Sequence, residues 1–217
     1  MGIFSGMLDL LFPPRCAFCR RILSAGERGM CGKCRTELRR TSSGGRQTGD
    51  YFTVCVAPLY YEDTVRESLL RYKFHEATAY AETYGRMIAE CVRENLEGKY
   101  DLISWVPLSS KRLKKRGYDQ AMLMAMAAAL ELGDVAVSTL EKVKDVPAQS
   151  GVGSEEKRKA NISGAYICCD EELVRGQRIL LIDDIVTTGA TMSECARVLL
   201  LAGAEEVMCA ALARSAE

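Results

Sequence analysis

The chain has 217 residues, 48% of them hydrophobic and 27% charged, with 29 Lys/Arg balanced by 29 Asp/Glu. That is an ordinary globular composition, long enough for one α/β core with a small appendage. The neutral total hides an asymmetry: residues 1–46 carry nine Lys/Arg against three Asp/Glu, the rest 20 against 26. A basic head therefore precedes an acidic body, and such a head can meet an anionic surface.

The opening "MGIFSGMLDLLFPP" is apolar but short, is broken by Asp9 and lacks a basic start. A secretion signal needs a charged leader and a spanning helix needs ~20 apolar residues. A short helix docked on the body is expected here. With no other long apolar stretch, no membrane insertion and a cytoplasmic location are expected.

"CAFCRRILSAGERGMCGKC" follows, with Cys16/Cys19 and Cys31/Cys34 as two C-x2-C knuckles separated by eleven residues. Two such turns can present four thiolates tetrahedrally to Zn²⁺. Disulfides are the alternative in an oxidising compartment, and iron–sulfur ligation is a second. So small a fragment has little core of its own, so metal binding would supply folding free energy. Arg15, Arg20, Arg21, Arg28, Lys33, Arg35, Arg39 and Arg40 crowd this module. They suit phosphates of DNA or RNA, or simply a solvated basic face. "RRTSSGGRQTGD" reads as a linker. The expected division is a metal-binding head over 1–46 and a second domain over 47–217.

In the body, "YFTVCVAPLYYE" (51–62) reads as two short strands and Asp63–Phe74 as a helix. Tyr84, Met87, Ile88, Cys91 and Val92 recur at helical spacing. "DLISWVPLS" (101–109) is a buried strand that breaks at Pro107, and "DQAMLMAMAAALEL" is a helix. "VAVSTLEKV", "AYICC", "RILLID" and "EVMCAALA" are strand candidates, and 147–164 is a long polar loop. Strands alternating with helices predict an α/β fold with a mainly parallel sheet flanked by helices.

The stretch "ILLIDDIVTTGATMSECARVLLLAGA" (179–204) carries the most chemistry. A strand over Arg178–Asp183 would lead into a loop and then a helix from near Met192, opened by a Thr191/Glu194 capping box. Met192, Cys195, Ala196 and Leu199 would face the sheet, and Gly203 would end the helix. The loop then lies at the carboxyl end of a parallel strand, where open α/β sheets bind ligands. Free N–H groups and the positive dipole end of a helix bind phosphate, and Thr187, Thr188 and Thr191 add hydroxyls. Gly189, followed by Ala190, lets the backbone approach the anion. Asp183 and Asp184 would repel a phosphate but suit a neutral diol. A ribose phosphate satisfies both halves. A Walker-B-like strand is the competing reading, but no G-x-x-x-x-G-K-[ST] accompanies it.

The four apolar residues, two acids and Thr-Thr-Gly turn resemble the phosphoribosyl-pyrophosphate (PRPP) motif of type I phosphoribosyltransferases. A pyrophosphate needs cations opposite the ribose, and "PLSSKRLKKRGYDQ" (107–120) supplies Arg112 and Arg116 among five after a strand. "QSGVGSEEKRKAN" is similar to the loop that closes over PRPP in that superfamily. "YKF" (72–74), "VPLSSKRLKKRGYDQA" (106–121), "PAQSG…R…N…GAY" (147–166) and "LIDDIVTTGATMSEC" (181–195) resemble, in this order, the ComF family. With the cysteine head the resemblance covers nearly the whole chain. It implies a type I phosphoribosyltransferase-like fold with a zinc-ribbon-like module and a part in natural transformation.

By motif position the resemblance assigns Asp183, Asp184, Thr187, Thr188, Gly189, Ala190 and Thr191 to ribose-phosphate binding, with the two acids catalytic if transfer occurs. Arg112, Arg116, Tyr118 and Gln120 fall on the pyrophosphate side, and Gln149, Arg158 and Asn161 in the closing loop. Asp119, where the family often has Asn, and "KVKDV" (142–146) depart from the pattern. Cys55, Cys91, Cys168, Cys169, Cys195 and Cys209 read as small core residues, as does Trp105, and His75 has no evident catalytic part. Three functions stay open: a competence protein that binds single-stranded DNA or a helicase-like translocase, a transferase using PRPP and Mg²⁺, and a PRPP sensor without turnover.

Overall fold

The computed structural model describes residues 13–74, 78–144 and 163–216. The expected N-terminal helix, His75 and the loop residues Gln149, Arg158 and Asn161 lie outside them.

The head holds one short helix, α1 (Gly32–Glu37), opened by Cys31. The expected linker is hydrogen-bonded along the body: Arg40 bridges Leu59, Gln47 bridges Cys55, and Thr41 N–H reaches Pro58 O at 3.0 Å. A Gly/Ser/Thr-rich composition permits flexibility, but here the backbone groups of 40–47 find partners on an open sheet edge.

That edge belongs to a five-stranded parallel sheet in the order β1 (Cys55–Val56), β7 (Glu206–Arg214), β6 (Arg178–Val186), β3 (Leu102–Trp105), with β2 (Leu59–Tyr60) also on β7. β6 lies between β7 and β3, and Leu180, Leu181 and Ile182 are fully buried. This is why it reads as a continuous apolar run rather than an alternating one. An antiparallel pair, β4 (Leu140–Lys142) and β5 (Tyr166–Cys168), forms a separate small hood.

Alternating residues of β6 face two distinct cores. Leu180 and Ile182 join the cluster built on α2 (Asp63–Phe74), α3 (Tyr80–Leu96) and α5 (Gln120–Leu132), while Ile179 and Leu181 join α7 (Ala190–Leu201) and Tyr166 of the hood. α4 (Ser110–Arg116) and α6 (Glu171–Val174) are short connections. Cys16, Phe18, Met30, Cys31 and Cys34 belong to the same buried cluster as α3. The head thus borrows its core from the body.

Candidate ribose-phosphate site and cysteine centre

β6 outruns its neighbour. β3 ends opposite Ile182, so Asp183 and Asp184 stand at the open rim of the sheet, three and two residues before β6 ends. The strand is longer than the sequence implied, running to Val186 instead of stopping at Asp183. Its pairing with β7 carries it on through Ala213 and Arg214.

Period-two alternation sends the two acids to opposite faces. Asp184 turns toward α2, where Lys73 Nζ lies 3.0 Å from Oδ1 and 2.8 Å from Oδ2. Asp183 has the opposite surroundings, within electrostatic range of Tyr166, Cys195 and Cys55. Burial, then the neighbouring Asp184 charge, pushes its carboxyl well above the ordinary carboxylate range, against a smaller opposing pull from Lys73. It accepts the Asp184 N–H at 2.7 Å. Of the two acids, one is therefore neutralised by a lysine and the other is held beside apolar groups.

The turn that follows begins with exposed Thr187 and half-buried Thr188. Gly189 has φ 75° and caps α7 from a left-handed conformation without any side-chain cap. A Cβ there would come within 3.1 Å of the Phe52 ring, so both conformation and space call for glycine. The expected capping box does not form, and α7 starts at Ala190 rather than Met192. Glu194 is engaged elsewhere: it accepts Gly164 N–H at 2.7 Å and the Arg197 guanidinium at 2.8 Å. Thr188 Oγ1 accepts the Ala190 N–H at 3.4 Å, and the N–H groups of Thr191 and Met192 in the same first turn have no partner within the helix. Met192, Cys195, Ala196 and Leu199 are all buried, as their spacing predicts.

An open cavity of about 730 Å³ lies against this turn, lined by Arg46, Gln47, Thr187, Thr188 and Arg214 among others. Gln47 Nε2 donates to Thr187 O at 3.4 Å, and Arg214 Nη1 donates to Gly45 O and Arg46 O at 3.2 Å. Arg46, Gln47 and Arg214 were not legible as site residues, because nothing local in "GGRQTGD" or "ALARS" distinguishes them from surface polar groups.

The basic segment is a helix, α4, capped by Ser109 and closed by Gly117 at φ 80°. Arg116 lies 5.0 Å from the Phe74 ring centroid and donates to Gln120 Oε1 at 2.8 Å. Burial lowers the Arg116 pKa, opposed by the Asp184 charge, with Arg112 adding like-charge pressure. Arg116 thus shares the neighbourhood of Asp184, and Arg112 that of Arg116. Gln120 is 1% exposed, and its Nε2 has no hydrogen-bond partner among the described residues. Asp119 caps α5 by accepting Met122 N–H on Oδ1 at 3.1 Å and takes Leu108 N–H on Oδ2 at 2.7 Å, a pair of acceptors of which asparagine could supply only one. Lys73 is the residue the sequence reading left without a role. Its signal was a cation in the last turn of an amphipathic helix, flanked by two aromatics.

In the head, the four Sγ atoms of Cys16, Cys19, Cys31 and Cys34 all lie within 4.8 Å of one another. A tetrahedral zinc with Zn–S of about 2.3 Å needs sulfurs about 3.8 Å apart. The Cys19–Cys31 separation is 3.6 Å, and backbone N–H groups of Cys31 and Cys34 point at Cys16 Sγ and Cys31 Sγ, each at 3.4 Å. Amides aimed at sulfur stabilise thiolates, so this donor set fits structural zinc. Cys55, Cys195 and Cys209 are fully buried core thiols, whereas Cys169 is exposed.

Residues 119–217 match the phosphoribosyl transferase domain and residues 7–49 the double zinc ribbon domain. Competence protein F of Haemophilus influenzae is 25% identical over 93% of this chain and 97% of its own length. DNA utilization protein YhgH of Salmonella typhi is 28% identical over 95% and 99%. Competence protein ComFC of Streptococcus pneumoniae is 30% identical over 71% and 65%. Among solved structures, a glutamine PRPP amidotransferase from B. subtilis aligns at TM-score 0.44 and 19% identity, over 64% of this chain and 30% of its own. The fold is therefore a phosphoribosyltransferase-type α/β domain joined to an N-terminal zinc ribbon. No helix among the described residues is long and apolar enough to cross a membrane.

Proposed function

We propose that this chain, a homologue over most of its length of proteins named competence protein F, ComFC and YhgH, binds a phosphoribosyl ligand of the PRPP class where β6 hands over to α7. The observation that carries this reading is the unbroken succession of two rim acids, a threonine turn, a left-handed Gly189 and an uncapped helix N-terminus. Asp183 and Asp184 take the ribose hydroxyls. The α7 amides, Thr187, Thr188 and Thr191 take the 5-phosphate, with Arg46 and Arg214 across the adjoining cavity. Arg112 and Arg116 take the pyrophosphate, and the family resemblance adds Gln149, Arg158 and Asn161, which lie outside the described residues. Mg²⁺ suits one or two carboxylates plus ligand phosphates, which is the donor set a bound pyrophosphate would complete.

The head is read as the contact to single-stranded DNA or a DNA helicase in natural transformation. The names of the relatives support this, as does the exposure of Arg15, Arg20, Arg28, Arg35 and Arg40. Other head cations are partly neutralised, as in Arg21–Glu27 and Arg39–Glu62.

Calorimetric titration of PRPP with Mg²⁺ tests the ligand. Wild type should bind, and Asp183→Asn and Thr188→Val should lose affinity; a silent wild type sinks the site. Pyrophosphate release with candidate nucleophiles then separates a transferase from a sensor. For the head, single-strand affinity should fall steeply with salt, with a slope that flattens when Arg15, Arg20 and Arg28 become glutamine.

A further inference from the structure

A buried line of contacts joins the cysteine head to the acid pair. It begins between Cys16 and Cys19, where two carbonyls point at α2. Ser68 Oγ donates to Ala17 O at 2.5 Å, and Arg71 Nη2 donates to Phe18 O. The Phe18 ring packs on Tyr84 with centroids 5.7 Å apart, Tyr84 meets Tyr72 edge-on at 5.2 Å, and Tyr72 meets Tyr118 at 6.0 Å. Ser68 and Tyr84 share a hydrogen bond, which ties the knuckle, α2 and α3 at one point. At the other end of α2, Tyr72 donates to Gln120 O at 3.1 Å, Tyr118 donates to Tyr72 O, and Lys73 holds both oxygens of Asp184. Ser68 and Lys73 are separated by a helical rise of about 7.5 Å, short enough to move as one piece.

We propose that α2 is a strut by which the metal-holding knuckle sets Lys73 against Asp184, so that Lys73 is a positioning residue of the ribose-phosphate site and metal in the head governs that site's affinity. This rests on the reading that the β6–α7 turn takes a phosphoribosyl ligand. Arg71 is the sensitive joint. Its side chain is 18% exposed, and its Nε has no hydrogen-bond partner among the described residues. A knuckle that loses its metal loses the fixed direction of the Phe18 carbonyl, and a poorly hydrated guanidinium then has reason to move. A shift of the last turn of α2 draws Lys73 from Asp184. The two adjacent acids then meet an anionic ligand without their counter-ion.

The test uses the full chain in zinc-loaded, chelator-stripped and reloaded forms, together with Arg71→Met, Lys73→Met and Lys73→Arg, each checked for zinc content. Two readouts are taken: PRPP–Mg²⁺ calorimetry, and the ¹⁵N resonance of Lys73 Nζ, assigned by its loss in Lys73→Arg. Stripping and Arg71→Met should each move the Lys73 resonance and weaken PRPP binding on the order of tenfold, equivalent to about 1.4 kcal/mol. Reloading should restore the wild-type values. Lys73→Arg should keep most of the affinity and Lys73→Met should lose it, a rescue that a purely structural role would not produce. If stripping unfolds the chain, Arg71→Met with zinc retained decides the matter, and an unmoved resonance with unchanged affinity overturns the strut. If wild type binds no PRPP, the ligand reading fails, and the resonance alone judges the coupling: a shift supports it and no shift overturns it.

Discussion

Asp183→Asn and Asp184→Asn change adjacent residues in the same chemical way, yet they should move stability in opposite directions. Asp183 is held among Tyr166, Cys195 and Cys55, and its carboxyl is raised by burial and by the Asp184 charge. A raised acid costs nothing below the unfolded carboxylate value near 3.9, and costs progressively more as pH climbs toward its folded value. Asparagine keeps the acceptor for Asp184 N–H and removes that cost. With each unit worth 1.36 kcal/mol, a gain of about 1–3 kcal/mol is expected at alkaline pH, shrinking to nearly none at about pH 4. In a chain of this length that is a rise in Tm of roughly 2–10 °C. Asp184→Asn instead strips Lys73 of its carboxylate. The pair is partly hydrated, with side chains 21% and 12% exposed, so the loss should fall below that of a fully buried pair, at about 1–3 kcal/mol. Thermal unfolding at about pH 5.5 and pH 8, with zinc content verified at each, checks both: the gain for Asp183→Asn should be smaller at the lower pH. Equal signs at the higher pH, or a gain for Asp183→Asn that ignores pH, would refute the two-face arrangement. Because Asp183→Asn is expected to stabilise, its loss of ligand binding could not be blamed on unfolding.

Three further outcomes follow from other contacts. A Cβ at Gly85 would stand 2.4 Å from Ala127 Cβ and 2.7 Å from Ala128 N. Gly85→Ala should therefore force α3 from α5 and, after about 1 kcal/mol of helix gain, still lower stability by up to about 2 kcal/mol in urea titration. An unchanged midpoint would contradict the close approach. Cys34→Ser should abolish stoichiometric zinc in metal analysis, whereas Cys169→Ser, outside the cluster, should leave it intact. Arg178, by its side-chain and then its backbone hydrogen bonds, holds the Asp101 carboxyl down to about 2. A depressed acid contributes stability that is present above its ordinary value and is lost as pH falls through the folded one. Asp101→Asn should thus flatten the acid end of the unfolding profile followed by circular dichroism.

The parallel sheet was legible because its middle strands are buried on both faces, which leaves long apolar runs such as "RILLI". The cysteine centre was legible because spacing alone can set four thiolates together. The acid-threonine turn could be read for a similar reason: strand, acids and glycine are contiguous. What stayed hidden depended on distant partners. Glu194 has the right offset for a capping box, but Gly164 and Arg197 claim it. "RRTSSGGRQTGD" has a linker's composition, yet β1 and β2 accept its backbone. Lys73 stands in the "YKF" segment, but its partner Asp184 lies 111 residues away in the chain, and nothing in that segment names a contact of that range.

The head's borrowed core also has a consequence in time. Cys16 to Cys34 leave the ribosome some 60 residues before α3 is complete, an interval of about 3–12 s at ordinary elongation rates. During that interval the four thiols lack the wall that Tyr84 and Ile88 later provide. Whatever reaches them first, whether zinc, a competing metal or an oxidant, meets them open. The nascent chain therefore has its most reactive chemistry exposed at the moment when it can least shelter it.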